Sequence, residues 1–240
     1  MTLDKVSLVY DRLLERYGRQ YWWPIVEDNE SRYLPEYSNR EKTGIEKLEI
    51  AIGAILTQNT SWKNAEQTLL ELKKKGVLNL ESLLCLSHDE IAVLIKKSGY
   101  YNQKAKKIKE LVGFIQEKLS GRIEQLSMSG SDKARNELLS LWGIGRETAD
   151  SILLYAYDMP FFVIDAYTRR IFYRTGLIDG DEEYDDLRFY IESSLPKDIA
   201  VYKEYHGLLV EHGKIHCRKT PSCRACPLAD ICVYYESNAM

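Results

Sequence analysis

Residues 138–155 read LLSLWGIGRETADSILLY, and the fold turns on that stretch. Apolar residues recur at three- and four-residue steps on both sides of Gly143-Ile144-Gly145, the pattern of two helices that each bury one face. The two glycines permit a tight turn and a close backbone approach that a bulkier side chain would block. The pattern is a helix-hairpin-helix. Amides at the start of its second helix can hold a phosphate, which makes Gly143, Gly145 and Arg146 candidate phosphate contacts. Alone, a G-x-G between helices is more often a plain connector.

Helical spacing continues outward in both directions. Val6, Leu8, Val9, Leu13 and Leu14 form one stripe and Leu48, Ala51, Ile52, Ile55 and Leu56 another. Similar stripes lie at 66–72, 81–95, 104–119, 134–142, 147–157, 166–175, 184–195 and 199–212. An all-α chain is the expectation, and 14 glycines and 6 prolines in 240 residues disfavour a many-turned β fold. A composition 45% hydrophobic and 29% charged excludes global disorder. Acids outnumber lysine plus arginine by 36 to 33, so nucleic-acid binding must rely on local patches. The acidic run 179–186, DGDEEYDD, should face away from DNA. No apolar run reaches the roughly 20 residues of a bilayer span, and the N-terminus is too charged for a secretory signal. The expectation is a cytoplasmic protein without a membrane partner, nucleoid-associated in a prokaryote. The polar stretch 25–44 reads as an insertion or mobile loop.

Four of the five cysteines, Cys217, Cys223, Cys226 and Cys232, fall in the order C-x5-C-x2-C-x5-C. In a cytosolic chain this tight spacing favours a metal or cluster over disulfides, although four thiolates alone do not separate zinc from a four-iron centre. Cys85 lies on an apolar helix face and is expected to pack in the core. Asp165, twenty residues beyond Gly145, follows the apolar run FFVI. Burial there would raise its pKa; the commoner role of such a residue is to cap the following helix.

Hairpin, aspartate and terminal cysteine quartet, in that order, resemble the endonuclease III superfamily of DNA glycosylases over about residues 45–233. GAILTQNT at 53–60 resembles that family's early DNA-facing turn, and GYYNQKAKKI at 99–108 its G-x-Y-x-x-K-A segment. Within the superfamily the chain looks most like the 3-methyladenine DNA glycosylases. The carriers are Trp22-Trp23-Pro24, Leu56-Thr57-Gln58-Asn59-Thr60 and the hairpin from Gly143 to Asp150.

The resemblance implies a two-domain all-α helix-hairpin-helix glycosylase with a four-cysteine cluster loop. A six-helix domain spans 40–159, while 1–39 plus 160–240 form a second helical domain carrying a 4Fe-4S cluster on Cys217, Cys223, Cys226 and Cys232, with the active site in the groove between. It also implies a monomer acting on double-stranded DNA that contains a damaged base, and makes Asp165 the catalytic carboxylate. The base pocket falls to Trp22, Trp23, Pro24 and Leu48. Leucine stands where the family has an aromatic, so Tyr33 and Tyr37 are candidate substitutes. Trp22 and Trp23 offer faces to a cationic base; without the resemblance, a tryptophan pair is a packing anchor. Gln58 and Asn59 are candidates to fill the vacated stack, or else cap a helix. Lys104, Lys106, Lys107 and Lys109 are candidate phosphate contacts, or a solvated face, and Arg218, Lys219 and Arg224 form a second basic patch. His212-Gly213-Lys214 matches the family's H-G-[KR], or marks a helix end.

Two departures bear on activity. Bifunctional members carry a lysine two residues after the second hairpin glycine, where its amine attacks the sugar; here that residue is Glu147. The first cysteine gap is five residues rather than the six of endonuclease III. The expected activity is therefore hydrolytic release of an alkylated purine, 3-methyladenine first, from N-glycosyl linkage. The alternatives are an endonuclease III-like glycosylase and abasic-site lyase on oxidised pyrimidines, and a non-catalytic DNA-binding module stabilised by zinc, in which Asp165 is only a cap.

Overall fold

The computed structural model describes residues 5–27, 30–38 and 40–238. The chain divides into two compact units, 23–159 and the combination of 1–22 with 160–240. Residues 23–39 therefore group with the hairpin unit, and the boundary near 40 read from sequence moves to 23.

Unit 23–159 opens with an antiparallel ribbon, β1 (Ile25–Glu27) and β2 (Glu30–Arg32), in the register Ile25 to Arg32 and Val26 to Ser31. Short helix α2 (Pro35–Ser38) follows. Part of the stretch expected to be a mobile loop is thus ordered, and Ile25 and Val26 are buried. The cause lies in α3 (Gly44–Leu56). Its buried Glu49 accepts the Val26 amide at 2.7 Å and pairs with Lys73 at 2.8 Å, while Lys73 also donates to the Val26 carbonyl. A carboxylate and an ammonium together stand in for a neighbouring strand.

Helices α4 (Trp62–Lys74), α5 (Leu80–Cys85), α6 (His88–Leu94), α7 (Tyr101–Lys118), α8 (Ser131–Leu139) and α9 (Arg146–Tyr157) complete this unit, with α3 packed on α9. Among the described residues these make seven α-helices of six residues or more rather than six. The apolar stripe 81–95 breaks at Leu86, because Ser87 caps α6 and exchanges bonds with Glu90 in a capping box. Cys85, at the end of α5, is exposed rather than packed; Leu83 takes the core position.

The other unit comprises α1 (Lys5–Tyr17), α10 (Ala166–Arg174), α11 (Tyr184–Ser194), α12 (Ile199–Ile215) and α13 (Val233–Asn238). Helices α1 and α10 both pack on α12. Phe162, Phe172, Tyr202 and Tyr205 form the aromatic centre, and the Tyr205 hydroxyl donates to the Val6 carbonyl at 2.9 Å, tying α12 to α1. No described helix is long and apolar enough to cross a membrane.

Candidate active site

The hairpin turn is built by glycines with different duties. Gly143 has φ +80, and a Cβ there would stand 2.5 Å from the Lys107 side chain, so both conformation and packing exclude other residues. Gly145 has an ordinary φ of −90 and a Cβ there would meet nothing within 4 Å. Helix α9 begins at this exposed glycine with no side-chain cap, so its first-turn amides point out of the helix end where an anion oxygen can accept from them. Arg146, Glu147 and Trp142 are exposed around the turn, and Lys106 lies over the Trp142 ring at 4.0 Å. Arg135 of α8 grips the fully buried Asp150 of α9 with bonds of 2.6 and 3.1 Å, fixing the two arms.

The turn 57–60 is strapped to the hairpin. Gln58 Nε2 donates to Thr148 Oγ1 at 2.8 Å and to the Gly143 carbonyl at 3.3 Å, while Lys107 donates to Gln58 Oε1. Both ends of the amide are committed. Asn59, in the left-handed region with φ +52, is exposed at the tip. Of the four lysines read as phosphate contacts, Lys104 is buried and donates to the carbonyls of Leu56 and Ser98 at 2.8 and 2.7 Å. Burial, then the charge of Lys107, brings its ammonium down to about 8. Lys109 donates to the carbonyls of Leu84 and Leu86, both at 2.9 Å, at the end of α5. Lys106 alone of the four is exposed.

The tryptophan pair is divided. Trp23 is buried, edge-on to Trp62 at 5.0 Å and tilted against Tyr155 at 5.5 Å, with Gly53 making room for it. It is a packing anchor, not an open face. Trp22 is half-buried; it lies against Gly207 of α12, and Lys214 Nζ is 5.8 Å from its ring centre. Pro24 is buried. Leu48 is buried too, and lines an apolar cavity with Ile45, Leu80, Ile115 and Ile123, none of them from the Trp22-Trp23-Pro24 segment. The Tyr33 hydroxyl accepts from Trp62 Nε1 at 2.6 Å; the side chain of Tyr37 lies outside the described residues.

Asp165 caps α10. Its Oδ1 accepts from the Thr168 amide at 2.7 Å and the Thr168 hydroxyl at 2.9 Å, and its Oδ2 stands 3.5 Å from His206 Nε2 on α12. Burial pushes the carboxyl up, but His206 and the Thr168 donors outweigh it and hold the group below its usual range. The expectation of a raised pKa is thus reversed, and the carboxylate is ionised at neutral pH. Nothing in the local sequence pointed to His206, which lies 41 residues further on.

Cys217, Cys223, Cys226 and Cys232 line one small cavity with His212, His216 and Arg174. Arg174 approaches Cys217 Sγ at 3.4 Å and donates to the carbonyls of Arg218 and Lys219, while Arg170 donates to the Cys217 carbonyl at 2.7 Å. Arg218, Lys219 and Arg224 are exposed around the loop. His212 is buried, 2.9 Å from the Tyr17 hydroxyl and 3.7 Å from Cys226 Sγ; burial, then His216, brings its pKa down to about 4, so it is neutral. Burial pushes the Cys226 thiol up to about 11, and the other three thiols push the same way. Among the described residues no three Cys, His, Asp or Glu side chains are grouped to hold a single metal ion.

The two glycine-linked helices and the open amide end of α9 define the class first: a helical protein built around a helix-hairpin-helix. The chain belongs to the HhH-GPD superfamily of base excision DNA repair proteins, which it matches over residues 52–197. It is 44% identical over 232 residues to MJ1434 of Methanocaldococcus jannaschii, assigned by its name to the DNA repair glycosylases, with 96% of each chain covered. Its fold is shared with endonuclease III in a non-covalent DNA complex, at TM-score 0.79, 20% identity and coverage of 100% and 99% of the two chains. The H. pylori 3-methyladenine DNA glycosylase bound to 1,N6-ethenoadenine matches at TM-score 0.68 and 26% identity, over 88% of this chain and 98% of that one. The protein is a DNA glycosylase of base excision repair, an enzyme that hydrolyses N-glycosyl bonds in DNA carrying damaged bases.

Proposed function

We propose that the enzyme is monofunctional and releases alkylated purines, 3-methyladenine before others, with Asp165 as its catalytic carboxylate. The observation that carries this reading is the state of Asp165: ionised, with Oδ1 committed to the cap and Oδ2 directed elsewhere. A cationic purine is already a good leaving group, so the reaction asks chiefly for negative charge beside the developing oxocarbenium-like sugar and for orientation of the attacking water. One carboxylate oxygen meets both needs. No amine occupies the position of Glu147, and the neighbouring Lys104 and Lys107 are engaged with carbonyls and with Gln58. These facts support water, rather than a lysine, as the nucleophile. The half-buried Trp22 remains the candidate face for the base, and the 26% identical 3-methyladenine glycosylase supports the substrate class. Gly145, Arg146 and Asn59, exposed around the hairpin and the 57–60 tip, are the candidate contacts to the duplex.

The four cysteines are proposed to hold a 4Fe-4S cluster. A single zinc, with bonds of about 2.3 Å, draws its thiolates nearly into contact, whereas a four-iron cluster takes one thiolate at each corner of a cube. All four thiols line one cavity, the arrangement that a centre ligated at four corners asks for. Burial, and after it the other three cysteines, hold the Cys226 thiol above its usual range, and a bound cationic centre would favour its thiolate instead. The cluster would order the loop bearing Arg218, Lys219 and Arg224.

The test is incubation with duplexes carrying methylated purines, ethenoadenine, uracil, oxidised guanine and oxidised pyrimidines, scoring base release and strand cleavage separately. Methylated adenine should be released and the abasic strand left intact. Preferential release of uracil or thymine glycol would sink the substrate class, and a borohydride-trapped covalent adduct would sink the monofunctional reading.

A further inference from the structure

We propose that His206 is a positioning residue for glycosylase chemistry, holding the Oδ2 oxygen of Asp165 in the orientation that the reacting sugar and water require. The inference rests on Asp165 as the catalytic carboxylate and deepens that reading. A cap alone would leave the carboxylate half-defined. Thr168 engages only Oδ1, through its amide and its hydroxyl, and a carboxyl group held at one oxygen keeps a broad range of rotation about its terminal torsion. The second point of reference is the His206 ring, whose Nε2 stands 3.5 Å from Oδ2 with both side chains only about a tenth exposed. That separation is long for a hydrogen bond in the free enzyme. Catalytic contacts of this kind commonly shorten when substrate is bound.

The frame that presents His206 is stiff on both sides. Tyr205, its neighbour, is fully buried, donates to the Val6 carbonyl and packs against Phe172 of α10, the helix that Asp165 caps. Gly207 lies so close to the Trp22 ring that an added Cβ would stand 2.7 Å from it. Helix α12 therefore cannot slide or roll without disturbing both contacts, and the imidazole is aimed by packing, not by its own flexible reach. The groups acting on the carboxylate are His206 from α12 and Thr168 from its own helix. From α11 the Tyr184 hydroxyl and the Glu192 carboxylate receive the amides of Ile164 and Phe162, and Arg169 on α10 donates to the Glu182 carbonyl. Both His206 contributions, hydrogen bonding and charge, favour the ionised carboxylate.

The experiment compares His206→Ala, His206→Gln and Asp165→Asn in single-turnover release from duplex DNA alkylated by a methylating agent. An oxidised-pyrimidine duplex runs in parallel, and binding to undamaged duplex is measured separately. His206→Ala should lower the rate about ten-fold, equal to 1.36 kcal/mol of transition-state stabilisation, with duplex binding unchanged. Its acidic limb should move to higher pH, because Asp165 then protonates more readily. His206→Gln should recover most of the rate, since an amide can still donate, while keeping the raised acidic limb. A rate and acidic limb equal to wild type in His206→Ala would overturn the proposal; should that variant not fold, an unmoved limb in His206→Gln would do so. Asp165→Asn separates the two readings. If it is inactive while the His206 variants are unaffected, only the positioning role fails; if it is active, the reading of Asp165 fails and this one falls with it.

Discussion

Each oxygen of Asp165 has a separate task, and substitution can separate them. Asparagine caps helices about as well as aspartate, so Asp165→Asn should leave the thermal unfolding midpoint nearly unchanged while lowering base release by about 10²-fold or more, the usual scale for lost charge stabilisation. Asp165→Ala should lose both activity and the cap, the latter worth about 1 kcal/mol in a denaturant titration. Full excision by a folded Asp165→Asn variant would leave only the capping role. The adjacent tryptophans should separate in the opposite sense. Trp23 fills the space between Gly53, Trp62 and Tyr155, and its loss to alanine should destabilise the protein by about 3–5 kcal/mol. Trp22→Ala should instead weaken release of alkylated bases by about 2–30-fold, the range of a cation over an aromatic face. Equal losses of stability from both would mean that Trp22 is an anchor as well.

At the scale of elements, charged groups at helix ends decide geometry that the apolar stripes leave open. Thr43 and Glu46 form a capping box at α3, with Arg40 paired to the same carboxylate, and Arg40 together with Thr43 brings Glu46 down to about 2 despite burial. A group with a depressed folded pKa contributes stability above its unfolded value, near 4.5, and that contribution is lost as pH falls toward 2. Acid unfolding followed by circular dichroism should show this loss; Glu46→Gln should flatten it and lower neutral stability by about 1 kcal/mol, as for a lost cap. Lys104 has the larger task. Replacing it with methionine strands two buried carbonyls, at about 1–3 kcal/mol each, and should loosen the 57–60 turn, read as faster amide exchange at Gln58 and Asn59. The helices, the hairpin glycines and the cysteine quartet were legible because each is a local pattern: a period, a turn requirement, a spacing. Even the α5–α6 break was written as Ser87-x-x-Glu90, though the continuous apolar stripe masked it. The β1–β2 ribbon was not legible, since its missing partner is Glu49 on α3. Nor was the duty of the lysine run, because carbonyls of other elements claim two of its four members. His206 meets Asp165 only through the packing of α10 on α12.

Over the whole molecule, the unit that carries Asp165 is assembled from both ends of the chain, 1–22 and 160–240. Besides the packing of α1 on α12, a set of polar contacts converges on the cysteine loop. Tyr17 on α1 reaches His212 on α12, His212 reaches Cys226, and Arg12 on α1 pairs with Asp230 just before Cys232. That loop has little apolar core of its own: Leu228 is its buried residue. A bound centre should therefore be a folding element of this unit, contributing through the same linkage by which any ligand specific to the native state stabilises it. Anaerobically purified protein should be brown, with about four irons and four sulphides per chain by the stoichiometry of such a cluster. Cys226→Ser should bleach the protein and lower the unfolding midpoint, with amide protection lost first from α1, α12 and the loop. Helices α3–α9 carry their own core, with Ile50, Ile52, Ile55 and Leu153 fully buried, and their protection should persist. Stoichiometric zinc without iron or sulphide would replace the cluster with a structural ion. Uniform loss of protection through both units would show instead that the loop stabilises the chain as one cooperative whole.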